Sequence, residues 1–193
     1  MAVELPSLTT PRLVLRPFES VDGPDVERLA GAWEVADTTL NIPHPYPEGA
    51  GVRWIKTHAG AWANGSSLTL AIALRASPTA LVGAVSLAIA PEHARGELGY
   101  WIALAEWGHG YATEAARALA TFGFGVLKLH RIQARHFTRN EASGRVMQKL
   151  GMRFEGVNRG AYLRWGRFED VSVYGILAEE WNARTNDMES GTP

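Results

Sequence analysis

Three groups of residues in this 193-residue chain have types and spacings that can do chemistry. The first is Gly108-His109-Gly110, followed by Tyr111, Ala115, Ala118, Leu119 and Phe122 at helical spacing. Residues 97–104, ahead of it, are rich in aromatic and β-branched types and read as a strand. Strand, glycine turn and helix start together suit an anion. The first N–H groups of a helix lack internal partners, the macrodipole adds partial positive charge, and residues without Cβ let a phosphate come close. The same two glycines also suit a plain tight turn. The second group is Glu97, which strand periodicity puts on one side with Gly99, Trp101 and Ala103. A carboxylate there either takes a proton, directly or through water, or pairs with Arg95 or Arg131. The third is Asn140-x-x-Ser143, a spacing that sets the serine hydroxyl at the N-terminal end of a helix closed by Gly151, where both residue types also act as caps.

The elements that must position these groups follow from periodicity. A strand is expected over 10–18, with Leu13 and Leu15 on one face. A helix follows, capped by Asp22 or Gly23, with Val26, Leu29, Ala30 and Trp33 as its apolar face. The Pro-rich segment 41–49 cannot be regular structure, and a second helix runs from about Glu48 to Asn64-Gly65. Strands are expected over 68–74 and 80–89, as a hairpin, and over 129–136 after the central helix. A last pair of strands is expected around Phe154 and over 167–177. The order mixes hairpins with a crossover, so the fold class is α+β, with a mixed, mostly antiparallel sheet of about seven strands flanked by four helices. One domain spans 1–193, with its core over about 10–177 and a flexible polar tail over 182–193.

These residues resemble the GNAT N-acetyltransferases. Their signature, Gln/Arg-x-x-Gly-x-Gly/Ala, aligns with Trp107-Gly108-His109-Gly110-Tyr111-Ala112, and Trp107 departs from the usual Gln/Arg. Gly99-Tyr100-Trp101-Ile102, the run from Trp107 to Ala115, and the opening Thr10-Pro11-Arg12-Leu13 look like the branch that acetylates ribosomal-protein N-termini, the Rim-type enzymes. The resemblance implies acetyl-CoA as cofactor. Residues Trp107, Gly108, His109, Gly110, Tyr111, Ala112 and Thr113 would hold its pyrophosphate, and the main chain of Ile102, Ala103 and Leu104 its pantetheine arm. It also implies Glu97 as general base, Asn140 against the cofactor arm, and Ser143 as the acid at the sulfur. Segment 41–49, which carries Tyr46, would form the acceptor rim; Trp33, Trp54 and Tyr162 either line the acceptor groove or serve as packing anchors. The implied acceptor is a primary amine, first of all a ribosomal or other protein N-terminus. The alternatives are a small-molecule amine (polyamine, amino acid or antibiotic) or a non-catalytic CoA-binding sensor. A monomer or homodimer is expected.

Composition bounds the rest. A net charge of -1 gives no electrostatic reason to expect nucleic acid or an anionic membrane as partner. With no cysteine there is no disulfide, thiolate metal site or cysteine nucleophile. The six histidines include no i, i+4 pair, so no metal is expected. The N-terminus lacks the pattern of a signal peptide and no apolar run is long enough to span a membrane, so a cytoplasmic protein is expected.

Overall fold

Leu13 and Leu15 are fully buried while Val14 and Arg16 stay partly exposed, a period of two that makes Leu13–Arg16 a strand, β2. The computed structural model describes residues 4–190, with side chains described through 184. The strand expected over 10–18 is shortened to β2, and a short strand ahead of that range, β1 (Leu8–Thr9), pairs antiparallel with it across a break at 10–12. Thr10 and Pro11 cause the break: the Thr10 hydroxyl accepts the Leu13 N–H at 2.9 Å, and Pro11 has no N–H to offer a ladder.

The other strands are β3 (Ser67–Leu74), β4 (Ser77–Ala90), β5 (Arg95–Ile102), β6 (Arg131–Phe137), β7 (Arg153–Arg164) and β8 (Arg167–Leu177). They form one sheet in the order β1-β2-β3-β4-β5-β6-β8-β7. Every neighbouring pair is antiparallel except β5 with β6. The class is α+β, as expected, with eight strands rather than about seven because β1 adds a short strand ahead of the first expected one.

Helices cover both faces. On one, α1 (Gly23–Ala30), α2 (Trp33–Asp37) and α3 (Ala50–Ala63) bring Val26, Ala30, Val35 and Ile55 against Ala84 and Trp101 of the sheet. On the other, α4 (Tyr111–Gly125), α5 (Glu141–Lys149) and α6 (Ala178–Ser190) pack Ala115, Leu119, Met147 and Trp181 over Leu13, Leu70, Leu87 and Ile132. Burial of these apolar faces is worth roughly 1.5–3 kcal/mol for each large side chain.

Six α-helices thus stand where four were expected among the described residues. The first expected helix ends at Ala30; Ala32, with φ -56° and ψ 136°, leaves the helical conformation, and Trp33 opens α2. Residues 182–190 of the tail expected to be flexible lie in α6, and 191–193 lie outside the described residues. Two side chains anchor that helix. Trp181 is buried beside Phe124 at 5.6 Å, and the Leu177 N–H donates to the Glu180 carboxylate at 3.0 Å. No described helix is long and apolar enough to cross a membrane.

Candidate active site

The site is an opening in the sheet. β5 and β6 pair at only four positions, from Arg95 opposite Arg131 to Leu98 opposite Ala134. Beyond these, β5 stays with β4 out to Ile102 while β6 stays with β8 out to Phe137. The strands diverge, and a cavity of about 940 Å³ lies between them. The Ala103 N–H donates to Val82 O at 2.8 Å, so Gly99, Trp101 and Ala103 turn their main-chain groups to β4. The main-chain groups of Tyr100 and Ile102 therefore face the gap. A pantetheine arm held along β5 would meet the Tyr100 main chain and the Ile102 N–H, since Ile102 O accepts from the Trp107 indole and the Ala103 amide, expected to serve the arm, is committed to Val82 O.

One end of the cavity is built for an anion. Gly108 and Gly110 adopt left-handed conformations, φ 82° and 80°, and Gly110 caps α4 with no side chain over its N-terminus. The N–H groups of residues 108–113 have no acceptor among the described residues. Arg12 fixes the turn from behind: its guanidinium donates to His109 O at 3.0 Å and meets the Glu114 carboxylate at 2.7 Å. Thr10 donates to the same carboxylate at 2.6 Å. Burial would raise the Glu114 carboxyl, but the Thr10 and Arg12 hydrogen bonds outweigh it and hold the group below its usual range. The Trp107 indole donates to Ile102 O at 2.8 Å, so it ties the turn to the end of β5 where the family's usual Gln/Arg is missing. Arg145 and Lys149 also line the cavity, from α5.

Glu97 and its partners sit where the strands part. Glu97 stands opposite Gln133 in the parallel register. Its Oε2 accepts from Gln133 at 2.7 Å, and its Oε1 accepts from Arg135 Nε and Nη2 at 2.9 and 2.7 Å. Neither Arg95 nor Arg131, the partners considered from sequence, reaches it, because Arg131 is engaged with Glu155. A carboxylate oxygen has about two lone pairs, so Oε1 is saturated and Oε2 keeps one free. Arg135 also donates to the Tyr162 hydroxyl at 2.9 Å. Burial pulls its guanidinium down, yet the Glu97 hydrogen bonds and charge hold it above its ordinary value.

On the opposite face of β5, the Tyr100 hydroxyl lies 2.7 Å from Ser143 Oγ. Ser143 also gives its N–H to Asn140 Oδ1 at 3.2 Å, so Asn140 caps α5 as its spacing suggested. Tyr100 was missed from sequence; its only signal was a polar aromatic on the strand face next to the gap. Burial pushes the Tyr100 phenol up to about 12, against the opposing pull of the Ser143 hydrogen bond.

Comparison with known proteins decides the family. The model described as an acetyltransferase (GNAT) domain matches residues 12–153. The chain belongs to the GNAT acetyltransferase family. That makes it an acetyl-CoA-dependent N-acetyltransferase, and the free amides at 108–113 fit the diphosphate of that cosubstrate. It is similar to the uncharacterized N-acetyltransferase YoaA of Bacillus subtilis, 31% identical over 175 residues, with 89% of this chain and 97% of that protein covered. Two solved structures share the fold. One is RimL, the ribosomal L7/L12 α-N-protein acetyltransferase in complex with coenzyme A, at TM-score 0.80 and 19% identity, covering 89% of this chain and 98% of that one. The other is spermidine N-acetyltransferase from Vibrio cholerae in complex with coenzyme A and spermine, at TM-score 0.77 and 20% identity, covering 90% and 99%.

In this acetyltransferase the four aromatics considered for the acceptor divide. Tyr46, Trp54 and Tyr162 line the cavity. Trp33 does not: its ring lies 5.1 Å from both Trp165 and His44, tilted on the first and edge-on to the second. The β7–β8 hairpin is tied to the N-terminal helices by Arg164, which donates to Ala36 O at 3.2 Å and to Ile42 O. Below it, Arg139 reaches the Asp37 carboxylate at 2.8 Å and Glu169 at 3.0 Å, which fastens the end of α2 to β8.

Proposed function

We propose that this acetyltransferase acetylates the α-amine at the N-terminus of a protein or peptide, by direct attack of the amine on the thioester. The observation that carries the reading is the divergence of β5 from β6, with unclaimed amides at 108–113 on one side and Glu97 on the other. Acetyl-CoA supplies the acetyl group, whose C–S bond breaks as the amine nitrogen bonds to the carbonyl carbon. The residue roles follow from the geometry. The amides of 108–113 hold the diphosphate; Asn140 keeps the start of α5 in place against the arm. A main-chain N–H of Tyr100 or Ile102 donates to the carbonyl oxygen as charge gathers there. Glu97 Oε2, with its free lone pair, takes the amine proton directly or through a water. The sulfur leaves as the thiolate, with Ser143 Oγ donating a hydrogen bond to it and the Tyr100 hydroxyl, still protonated, donating to Ser143 Oγ in turn; solvent supplies the thiol proton after release.

The engagement of Glu97 favours an α-amine over a lysine-type amine. An α-amine, pKa ~8, is already about 10% neutral near pH 7, whereas a lysine amine, pKa ~10.4, is only ~0.04% neutral. The difference is worth about 3 kcal/mol, which a carboxylate shared with Arg135 and Gln133 need not supply for the α-amine. The departing thiol, pKa ~8.5, asks equally little of Ser143.

The test is an acetyl-transfer screen with mass-spectrometric mapping. It compares peptides with free N-termini, the same peptides N-blocked but carrying lysine, polyamines and aminoglycosides. Acetyl on the α-nitrogen of the free peptides is the expected result. Transfer confined to polyamines or aminoglycosides would replace the reading with the small-molecule one, and binding of acetyl-CoA without turnover would make the protein a sensor.

A further inference from the structure

The turn at 108–113 has little of its own to hold it in shape. Gly108, His109 and Gly110 are exposed, and a Cβ on Gly108 would meet nothing within 4 Å. Both glycines stand in the left-handed region, and glycine gives up more conformational freedom on ordering than any other residue. A loose turn would bind an anion weakly, because binding would have to order it first. The order has to come from outside the turn.

Arg12 supplies it from 97 residues away, where its Nη1 donates to His109 O at 3.0 Å. The peptide between His109 and Gly110 is trans, so its C=O and N–H point in opposite directions. Gly110 lines the cavity, and Arg12 stands outside that lining. Holding the carbonyl toward Arg12 therefore aims the Gly110 N–H into the cavity.

The guanidinium is itself fixed. Its Nε and Nη2 each lie 2.7 Å from Glu114 Oε2, the Arg12 N–H donates to Glu114 Oε1 at 2.9 Å, and the Tyr111 ring lies 4.8 Å from Cζ. Glu114 belongs to the first turn of α4, next to the amides. Without a cation on it, this carboxylate would repel a diphosphate at the helix start.

Resting on the reading above that the amides of 108–113 hold the diphosphate, we propose that Arg12 is a positioning residue for the cosubstrate. It presets the 109–110 peptide for the diphosphate and cancels the Glu114 charge beside it, and so sets the affinity for acetyl-CoA. The effect acts through the diphosphate and leaves the grip on the pantetheine arm unchanged.

The experiment compares two ligands that share the thioester and the arm. Calorimetry gives the Kd of acetyl-CoA, and displacement of acetyl-CoA in the same instrument gives the Kd of S-acetylpantetheine, which has no phosphate. In Arg12→Ala the Kd of acetyl-CoA should rise about tenfold, the scale of one charge-assisted hydrogen bond, while that of S-acetylpantetheine stays the same. Arg12→Lys keeps the charge but cannot fork between Glu114 and His109 O, so it should lose about threefold. Arg12→Ala with Glu114→Gln should bind acetyl-CoA about threefold more tightly than Arg12→Ala alone, because the stray carboxylate is gone. Thermal melts accompany each variant, and if Arg12→Ala fails to fold, Arg12→Lys carries the comparison with the same signs. Equal losses for both ligands would make Arg12 a support of the whole fold and overturn the proposal. An unchanged Kd for acetyl-CoA in both variants would overturn it too, and would leave the diphosphate at the turn. Equal affinity of the native protein for the two ligands, or no binding of acetyl-CoA at all, would overturn both.

Discussion

Tyr100 and Ser143 share a hydrogen bond of 2.7 Å that joins β5 to the first turn of α5. They are 43 residues apart in sequence, and their contact crosses the side of the gap opposite Glu97. It gives Ser143 a neighbour that stays protonated throughout the neutral range, since burial pushes the Tyr100 phenol up to about 12.

Tyr100→Phe should therefore lower kcat about three- to tenfold, the scale of one net hydrogen bond, with little change in the KM of the acceptor. Ser143→Ala should cost a similar factor. The double variant should lose no more than the worse single one, because both act through the same hydrogen-bond chain to the sulfur. Steady-state kinetics on the four-enzyme cycle checks this; additive losses would separate the two residues.

Gly110→Trp should remove acetyl-CoA binding. The residue holds φ 80°, which costs a side-chain-bearing residue roughly 1–2 kcal/mol, and the bulk would lie over the unclaimed amides. A Cβ there meets nothing closer than Arg12 Nη2 at 3.6 Å, so the fold itself should survive. Calorimetry with acetyl-CoA, beside a thermal melt, is the measurement; unchanged affinity would remove the anion site from the account.

Glu97→Gln should slow acetylation of an α-amine about tenfold at pH 7, well short of the roughly 10²–10⁴-fold that a dedicated general base supplies. The loss should be larger for a lysine-type amine and should shrink toward pH 9, as more of the α-amine becomes neutral unaided. Rates of both acceptors across pH 6–9 decide it.

His58 sets a pH dependence of stability unrelated to catalysis. It is 6% exposed, its ring nitrogens find no partner, and it stacks edge-on 4.4 Å from Trp54 and 5.4 Å from Phe18. Burial pushes its pKa down to about 4. Between about 6.5 and that value the unfolded chain binds a proton that the folded chain refuses, so stability falls as pH falls through this window. Urea midpoints at pH 7 and 5 should differ more for the native protein than for His58→Phe, by on the order of 1 kcal/mol in unfolding free energy.

Local features were legible without coordinates because their causes are local. Gly108 and Gly110 flank a helix start, Asn140 is followed by Ser143 one turn on, and Leu13 alternates with Val14; each acts within a few residues. The glycine turn ahead of α4 and the α5 cap were therefore readable from spacing. Tertiary structure alone decided which strands stand side by side. The parallel register of β5 on β6 sets Glu97 opposite Gln133 and within reach of Arg135, and draws Arg131 off to Glu155. The early divergence of those two strands turns the Tyr100 and Ile102 main chain toward the cavity. Periodicity tells which face a side chain takes on its own strand. It carries no information about the neighbour across the ladder, because that choice depends on burial and connection summed over the whole sheet.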